Sequence, residues 1–255
     1  MNSAGLDFDL LWPAFAAGLL VTATHVPLGI QVLKRGIVFI DLAIAQIAGL
    51  GVILADRLGL EPQGWVVQVF ALLAAVSGAL LLTWTEKRWP EVQEAVIGVS
   101  FVLAASGAVL LLASHPHGGE HLKELLVGQI LWVSPARLAI VALVYAVLLA
   151  VWFARGGQLG RAGFYLAFAC AVTLSVQLVG LYLVFTTLIV PALAARRMIR
   201  HRLIGGYALS AAGYACGLAI SALTDLPPGP AIVWIMTLLA VMVFLFRSGR
   251  ARTAA

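Results

Sequence analysis

Residues 162–195 read AGFYLAFACAVTLSVQLVGLYLVFTTLIVPALAA, a run of 34 residues without one Asp, Glu, Lys or Arg. As one helix it would reach about 51 Å at a rise of 1.5 Å per residue. The hydrocarbon core of a bilayer is only about 30 Å thick. The run therefore either crosses twice as two short helices, turning near Gly180, or enters and leaves the membrane on one side. Irregular backbone of the second kind is tolerated only where it is buried in protein or lines a cavity.

Working outward, other charge-free runs cover 10–33, 62–85, 95–119, 138–154, 203–224 and 226–246, and 36–55 is broken only by Asp41. These predict membrane helices near 10–33, 37–55, 64–85, 94–114, 134–154, 203–224 and 229–247. Lys and Arg concentrate in cytoplasmic loops. Lys34/Arg35, Lys87/Arg88 and Arg155/Arg161 fall in alternate loops, as do Arg196, Arg197, Arg200 and Arg202 if 162–195 crosses twice. With Arg247, Arg250 and Arg252, all but Arg57, Lys123 and Arg137 of the 16 basic residues then share one side. The expected fold is all-α, a single polytopic membrane domain over 1–255. It has eight to nine crossings, nine preferred, with the N-terminus outside and the C-terminus cytoplasmic.

Composition agrees. Of 255 residues, 62% are hydrophobic and 11% charged, against about 25% charged in soluble domains, and the mean hydropathy is +1.04. A water-soluble globule, a disordered chain and a disulfide-stapled module are excluded. The net charge of +5 reads as topology rather than as nucleic-acid binding. The acidic start and long first apolar run argue against a cleavable signal peptide. Cys170 and Cys216 have no metal-type spacing and read as small core residues. No phosphate-binding loop is present, so no ATP hydrolysis or other enzyme activity is expected of the chain itself.

Ionisable residues inside a membrane are costly and are functional candidates. His25 lies in Thr24-His25-Val26-Pro27-Leu28-Gly29. It could donate to a carbonyl freed by Pro27, or line a pathway. Asp41 could pair with Lys34 or Arg35, or cap its helix. Gln46 lies 140° from Asp41 at 100° per residue, so the two do not make a ligand pair. Its amide needs an interhelical partner or a polar path. Outside the spans, His115-Pro116-His117-Gly118-Gly119-Glu120-His121 could capture an ion through His115, His117 and His121, or be a plain solvated loop. Glu86–Glu94 reads as a solvated face with local ion pairs, and Arg196–Arg202 as positive-inside charge that can also contact anionic lipid headgroups.

Several blocks carry a family resemblance: Pro27-Leu28-Gly29 through Arg35, Glu94-Ala95-Val96-Ile97-Gly98, Gly128-Gln129-Ile130-Leu131-Trp132-Val133-Ser134, Gln177-Leu178-Val179-Gly180, Pro191–Arg196 and Asp225–Ala231. In this order the chain resembles the membrane subunit of bacterial ABC importers for zinc, manganese or iron. The resemblance implies a dimeric permease in the inner membrane. A separate ATPase subunit would use the ATP, an external binding protein would deliver the metal, and the permease itself would bind no cofactor.

Two departures stand out. The family's second helix usually reads Gly-Asp-x-x-Ser-His-Ala; aligned on Phe39-Ile40, Leu42 and Gln46 fall where Asp and His are expected. The internal loop Arg155-Gly156-Gly157-Gln158-Leu159-Gly160-Arg161 is shorter than the family's coupling loop. Coupling is then expected through Glu91, Glu94, Arg196 and Arg197. His25, Asp41 and Gln46 are the candidate path residues for a divalent transition metal, Zn or Mn. The alternatives are an ATPase-independent permease or channel, and a non-transporting membrane scaffold or sensor.

Overall fold

A computed structural model describes residues 8–59, 65–112, 128–155, 159–198 and 201–252. Among them are nine α-helices and no strand: α1 (Phe8–Arg35), α2 (Ile40–Arg57), α3 (Trp65–Arg88), α4 (Gln93–Leu112), α5 (Pro135–Ala154), α6 (Arg161–Val179), α7 (Leu181–Ala194), α8 (Arg202–Thr224) and α9 (Pro228–Arg252). Short 3₁₀ turns at Pro90–Val92, Ile130–Trp132 and Ala195–Arg197 lead into or out of them. Seven helices are long and apolar enough to cross a membrane. The exceptions are α2, whose 18 residues include Asp41, Asp56 and Arg57, and α7, which has only 14.

The long apolar run breaks at Gly180, with φ +82°. That is left-handed territory that glycine enters without steric penalty. The chain reverses there. Phe164, in the first turn of α6, lies under Arg35 at the end of α1, and near the end of α7 Leu188 and Ala192 pack on Gly29 of α1. α6 thus leaves the Arg35 end and α7 returns to it. At about 21 Å, α7 is too short to span the hydrocarbon core. Gly128, also at positive φ, lies against the backbone of Val179 and Gly180, covering the break.

Contact registers fix the remaining directions. Val26, Thr22 and Gly18 of α1 meet Gly206, Ser210 and Tyr214 of α8, so these helices are antiparallel. Gly213 and Gly217 meet Met236 and Ile232, setting α9 antiparallel to α8. Gly51 meets Ala74, and Gly78 meets Ile47, pairing α2 with α3. Phe39 meets Glu94 and Leu50 meets Gly107, so α2 and α4 run in parallel. Such close approaches matter because apolar burial gives little drive between helices in lipid, where packing and interhelical hydrogen bonds dominate.

The helices therefore alternate in direction, and Lys34, Arg35, Lys87, Arg88, Arg155, Arg161, Arg196 and Arg202 gather at one end of the bundle, the basic end. Arg57, whose guanidinium donates to the Leu111 carbonyl, marks the opposite end. Exposed tryptophans ring both ends: Trp12, Trp65, Trp132 and Trp234 opposite, Trp84 and Trp89 at the basic end. Indole rings favour membrane–water interfaces.

Candidate functional site

Pro27 cannot donate a backbone N–H, which frees the carbonyl of Ala23 one turn earlier. The Tyr207 hydroxyl of α8 donates to that carbonyl at 3.2 Å. Two residues before Pro27, His25 is wholly buried. Its Nδ1 lies 3.0 Å from both the Val21 carbonyl and Thr24 Oγ1. Its Nε2 has no hydrogen-bond partner among the described residues. Elsewhere in the core the Tyr145 hydroxyl of α5 donates to the Ala171 carbonyl at 2.9 Å and meets Ser175 Oγ of α6. The imidazole is thus held within α1, while hydroxyls join α5 to α6.

A second buried network sits nearby. Thr22 Oγ1 and Ser210 Oγ are 2.8 Å apart, and Tyr214 joins Thr187 of α7 at 2.8 Å. These hydroxyl pairs escape sequence reading because each Ser, Thr or Tyr is unremarkable alone in an apolar span. Only tertiary contact reveals the partner.

Asp41, in the first turn of α2, is also wholly buried. Neither carboxylate oxygen has a hydrogen-bond partner among the described residues. It does not pair with Lys34 or Arg35. Arg35 turns instead to Glu86, at 3.7 Å, and stacks on the Phe164 ring at 4.3 Å. Arg161 reaches the same Glu86 oxygen at 3.9 Å. Glu94 on α4 approaches the start of the same helix, at the Phe39 amide two residues before Asp41. Glu94 is half-buried; its Oε1 accepts from the Phe39 amide at 3.3 Å, and its Oε2 is buried without a partner. The Glu94 side chain thereby caps the start of α2 from another helix.

Gln46 lies farther along α2. It lines a small cavity with Ala45, Gly49, Ala108, Val176 and Leu181, beside the Gly180 break. Leu42 borders a different, wholly apolar groove with Phe39, Ala95, Gly98 and Val102. His25, Asp41 and Gln46 are therefore in three separate local settings, and no hydrogen bond among the described residues links them. Among the described residues no group of three or more His, Cys, Asp or Glu side chains converges. His115, His117 and His121 lie outside the described residues. Glu91 is exposed on the Pro90–Val92 turn and Arg196 is exposed after α7; Arg197 belongs to the same 3₁₀ turn.

Sequence inspection also passes over Gln93. Its Nε2 donates to the Leu82 carbonyl at 3.0 Å and to the Tyr165 hydroxyl at 3.1 Å, and its Oε1 lies 3.0 Å from Thr85 Oγ1. This amide ties α3, α4 and α6 together at the basic end.

A bundle of alternating apolar helices with buried polar networks and aromatic girdles is a multi-pass membrane protein. The chain belongs to the ABC 3 transport family, whose model matches residues 7–160 and 158–247, and is thus a metal ABC transporter permease by family. It is 24% identical to the high-affinity zinc uptake system membrane protein ZnuB of Haemophilus influenzae, over 92% of this chain and 97% of that one. An uncharacterized membrane protein of Synechocystis sp. is 26% identical, over 95% of this chain and 92% of its own length. PsaBC from Streptococcus pneumoniae, solved in complex with Fab, superposes with a TM-score of 0.74 at 19% identity, over 94% of this chain and 93% of that chain. At that identity the likeness is one of fold. The family match falls in two pieces that meet at 158–160, inside the short α5–α6 connection.

Proposed function

We propose that this chain is the permease of a bacterial importer that moves a divalent transition metal, zinc or manganese, across the cytoplasmic membrane. The observation that carries the reading is the family match along nearly the whole chain; the zinc-uptake name of one relative and the fold shared with PsaBC support it. The positive-inside rule places the basic end in the cytoplasm and the Phe8 end outside. Two copies would pair around the path, an external binding protein would deliver metal at the Phe8 end, and separate ATPase subunits would dock at the basic end. Glu91, Glu94, Arg196 and Arg197 are the docking candidates, and His25, Asp41 and Gln46 the path candidates. The residues 115–121 would meet the ion or its carrier outside.

A second reading has its own support. α5 ends at Ala154 and α6 begins at Arg161, leaving little chain for a coupling helix where the family match is split. On that ground the chain would be a permease that works without an ATPase. Co-purification with a cognate ATPase, followed by uptake of radiolabelled Zn²⁺ and Mn²⁺ into proteoliposomes, decides between them. ATP-dependent uptake supports the coupled importer. Uptake without any ATPase complex favours the second reading, and no uptake of either metal rejects both.

A further inference from the structure

The last turn of α3 carries chemistry that the transport reading does not use. Trp84, Lys87 and Arg88 stand at i, i+3 and i+4 and so share one face of the helix. All three are exposed. Trp89, just past the helix end, is exposed as well, and its ring meets that of Trp84 edge to face with centroids 5.3 Å apart. The turn is held from beneath. The Trp89 amide donates to the Thr85 carbonyl at 2.7 Å, and Gln93 accepts from the Thr85 hydroxyl and donates to the Leu82 carbonyl, both at 3.0 Å. Glu86 is taken up by Arg35 and Arg161. Lys87 and Arg88 make no ion pair among the described residues, not even with exposed Glu91 on the turn that follows. Two cations and two indole rings thus face outward at the depth where bilayer headgroups lie. The turn leads into α4, whose Ala95 and Gly98 line the apolar groove with Phe39 and Leu42 of α2, about 610 Å³ in volume. A β carbon on Gly98 would meet nothing within 4 Å. Packing within the chain therefore does not ask for this glycine, although glycine weakens a helix interior. Its effect is to keep the groove open on the outer face, where Val102 is exposed.

We propose that the α3–α4 turn binds an anionic phospholipid of the leaflet at the basic end. The phosphate sits on Lys87 and Arg88, the headgroup level beside Trp84 and Trp89, and one acyl chain in the groove between α2 and α4. The occupant follows from charge and shape. A guanidinium fork matches a phosphate in two-pronged fashion, and an ammonium adds a point charge. Indole rings settle at the headgroup level. A groove without a polar side chain takes hydrocarbon and nothing charged. Free phosphate would use the two cations but neither the rings nor the groove. A lipid bound this way touches α2, α3 and α4 at once. The proposal goes beyond the transport reading and does not depend on which ion the chain moves.

The test is native mass spectrometry of the full chain, released from detergent and titrated with phosphatidylglycerol or with phosphatidylcholine of the same acyl length. The native chain is expected to retain phosphatidylglycerol in preference to phosphatidylcholine. Lys87→Gln and Arg88→Gln are each expected to weaken phosphatidylglycerol retention about fivefold, which is about 1 kcal/mol per basic side chain. The double variant is expected to lose the preference for the anionic headgroup. Gly98→Leu fills the groove and is expected to weaken both lipids alike. Arg155→Gln, which removes an exposed cation at the end of α5, is expected to change neither. Equal retention of the two lipids by the native chain, native-like preference in the double variant, or the same loss in Arg155→Gln would overturn the site. Retention that ignores Gly98→Leu rejects the seat of the acyl chain. If the double variant keeps its lipid but loses a co-purifying ATPase, the turn is a protein-docking surface and the lipid site is rejected.

Discussion

A β carbon placed on Gly29 would fall onto the carbonyl oxygen of Leu188. α1 and α7 are therefore in backbone contact, at a point where α7 is turning back toward the basic end. Gly29→Val must push the two helices apart, and overpacking of this kind costs about 1–3 kcal/mol. We expect lower membrane abundance and an earlier melting transition by fluorescence-detected size exclusion. Unchanged melting would mean that α1 and α7 are not held in this register.

Tyr214 of α8 touches the same two helices, its ring packed on Gly18 of α1 and its hydroxyl joined to Thr187 of α7. Tyr214→Phe keeps the ring and removes one interhelical hydrogen bond, worth about 0.6 kcal/mol on average in a membrane. Tyr214→Ala also empties a buried volume, a loss of about 3–5 kcal/mol. Thermal unfolding in one detergent should rank the native chain and Tyr214→Phe close together and Tyr214→Ala well below. An equal loss in both variants would shift the weight from packing to the hydroxyl.

Glu86 bridges Arg35 and Arg161, and so α1, α3 and α6. Glu86→Arg places three cations together, whereas Glu86→Arg with Arg161→Glu restores alternation. The single change is expected to cost on the order of 1 kcal/mol, less in high salt, because the cluster is partly exposed. The double change should recover most of the loss. Absence of recovery, measured by melting at low and high salt, would show that the ion pairs are incidental.

His25 is wholly buried, held by Thr24 and Val21 of its own helix, with one ring nitrogen uncommitted among the described residues. His25→Ala is expected to impair growth in metal-depleted medium more than a triple alanine change at His115, His117 and His121. Growth of His25→Ala equal to that of the native strain would remove the imidazole from the path.

Much of this architecture is legible in charge spacing. The first span, the third and fourth, and the last two follow directly from uncharged runs bounded by Lys, Arg, Asp and Glu, because a charge in hydrocarbon is too costly to be scattered at random. The run 162–195 yields its length problem and the turn near Gly180, since few residues but glycine favour that backbone geometry. Local sequence does not choose between a re-entrant and a twice-crossing path; the return of α7 becomes visible through Leu188 and Ala192 on Gly29. The candidate site was readable residue by residue but not as a set. Asp41 stands out as an acid in an apolar run. The approach of Glu94 to the Phe39 amide, two residues before it, depends on the parallel alignment of α2 and α4, which no periodicity encodes. Arg35, the sequence's natural partner for Asp41, is drawn away by Phe164 and Glu86, both distant in sequence.

The seating of Gly128 on Val179 and Gly180 carries a mechanical corollary. Gly128, which follows the histidine-bearing stretch in sequence, rests backbone on backbone on the turn between α6 and α7, with no side chain between. A shift of Gly128 would therefore reach the α6–α7 turn by direct backbone contact, without a side chain to take it up. The short helix that follows, in backbone contact with α1 at Gly29, carries the chain from that turn to the 3₁₀ turn Ala195–Arg197 at the basic end.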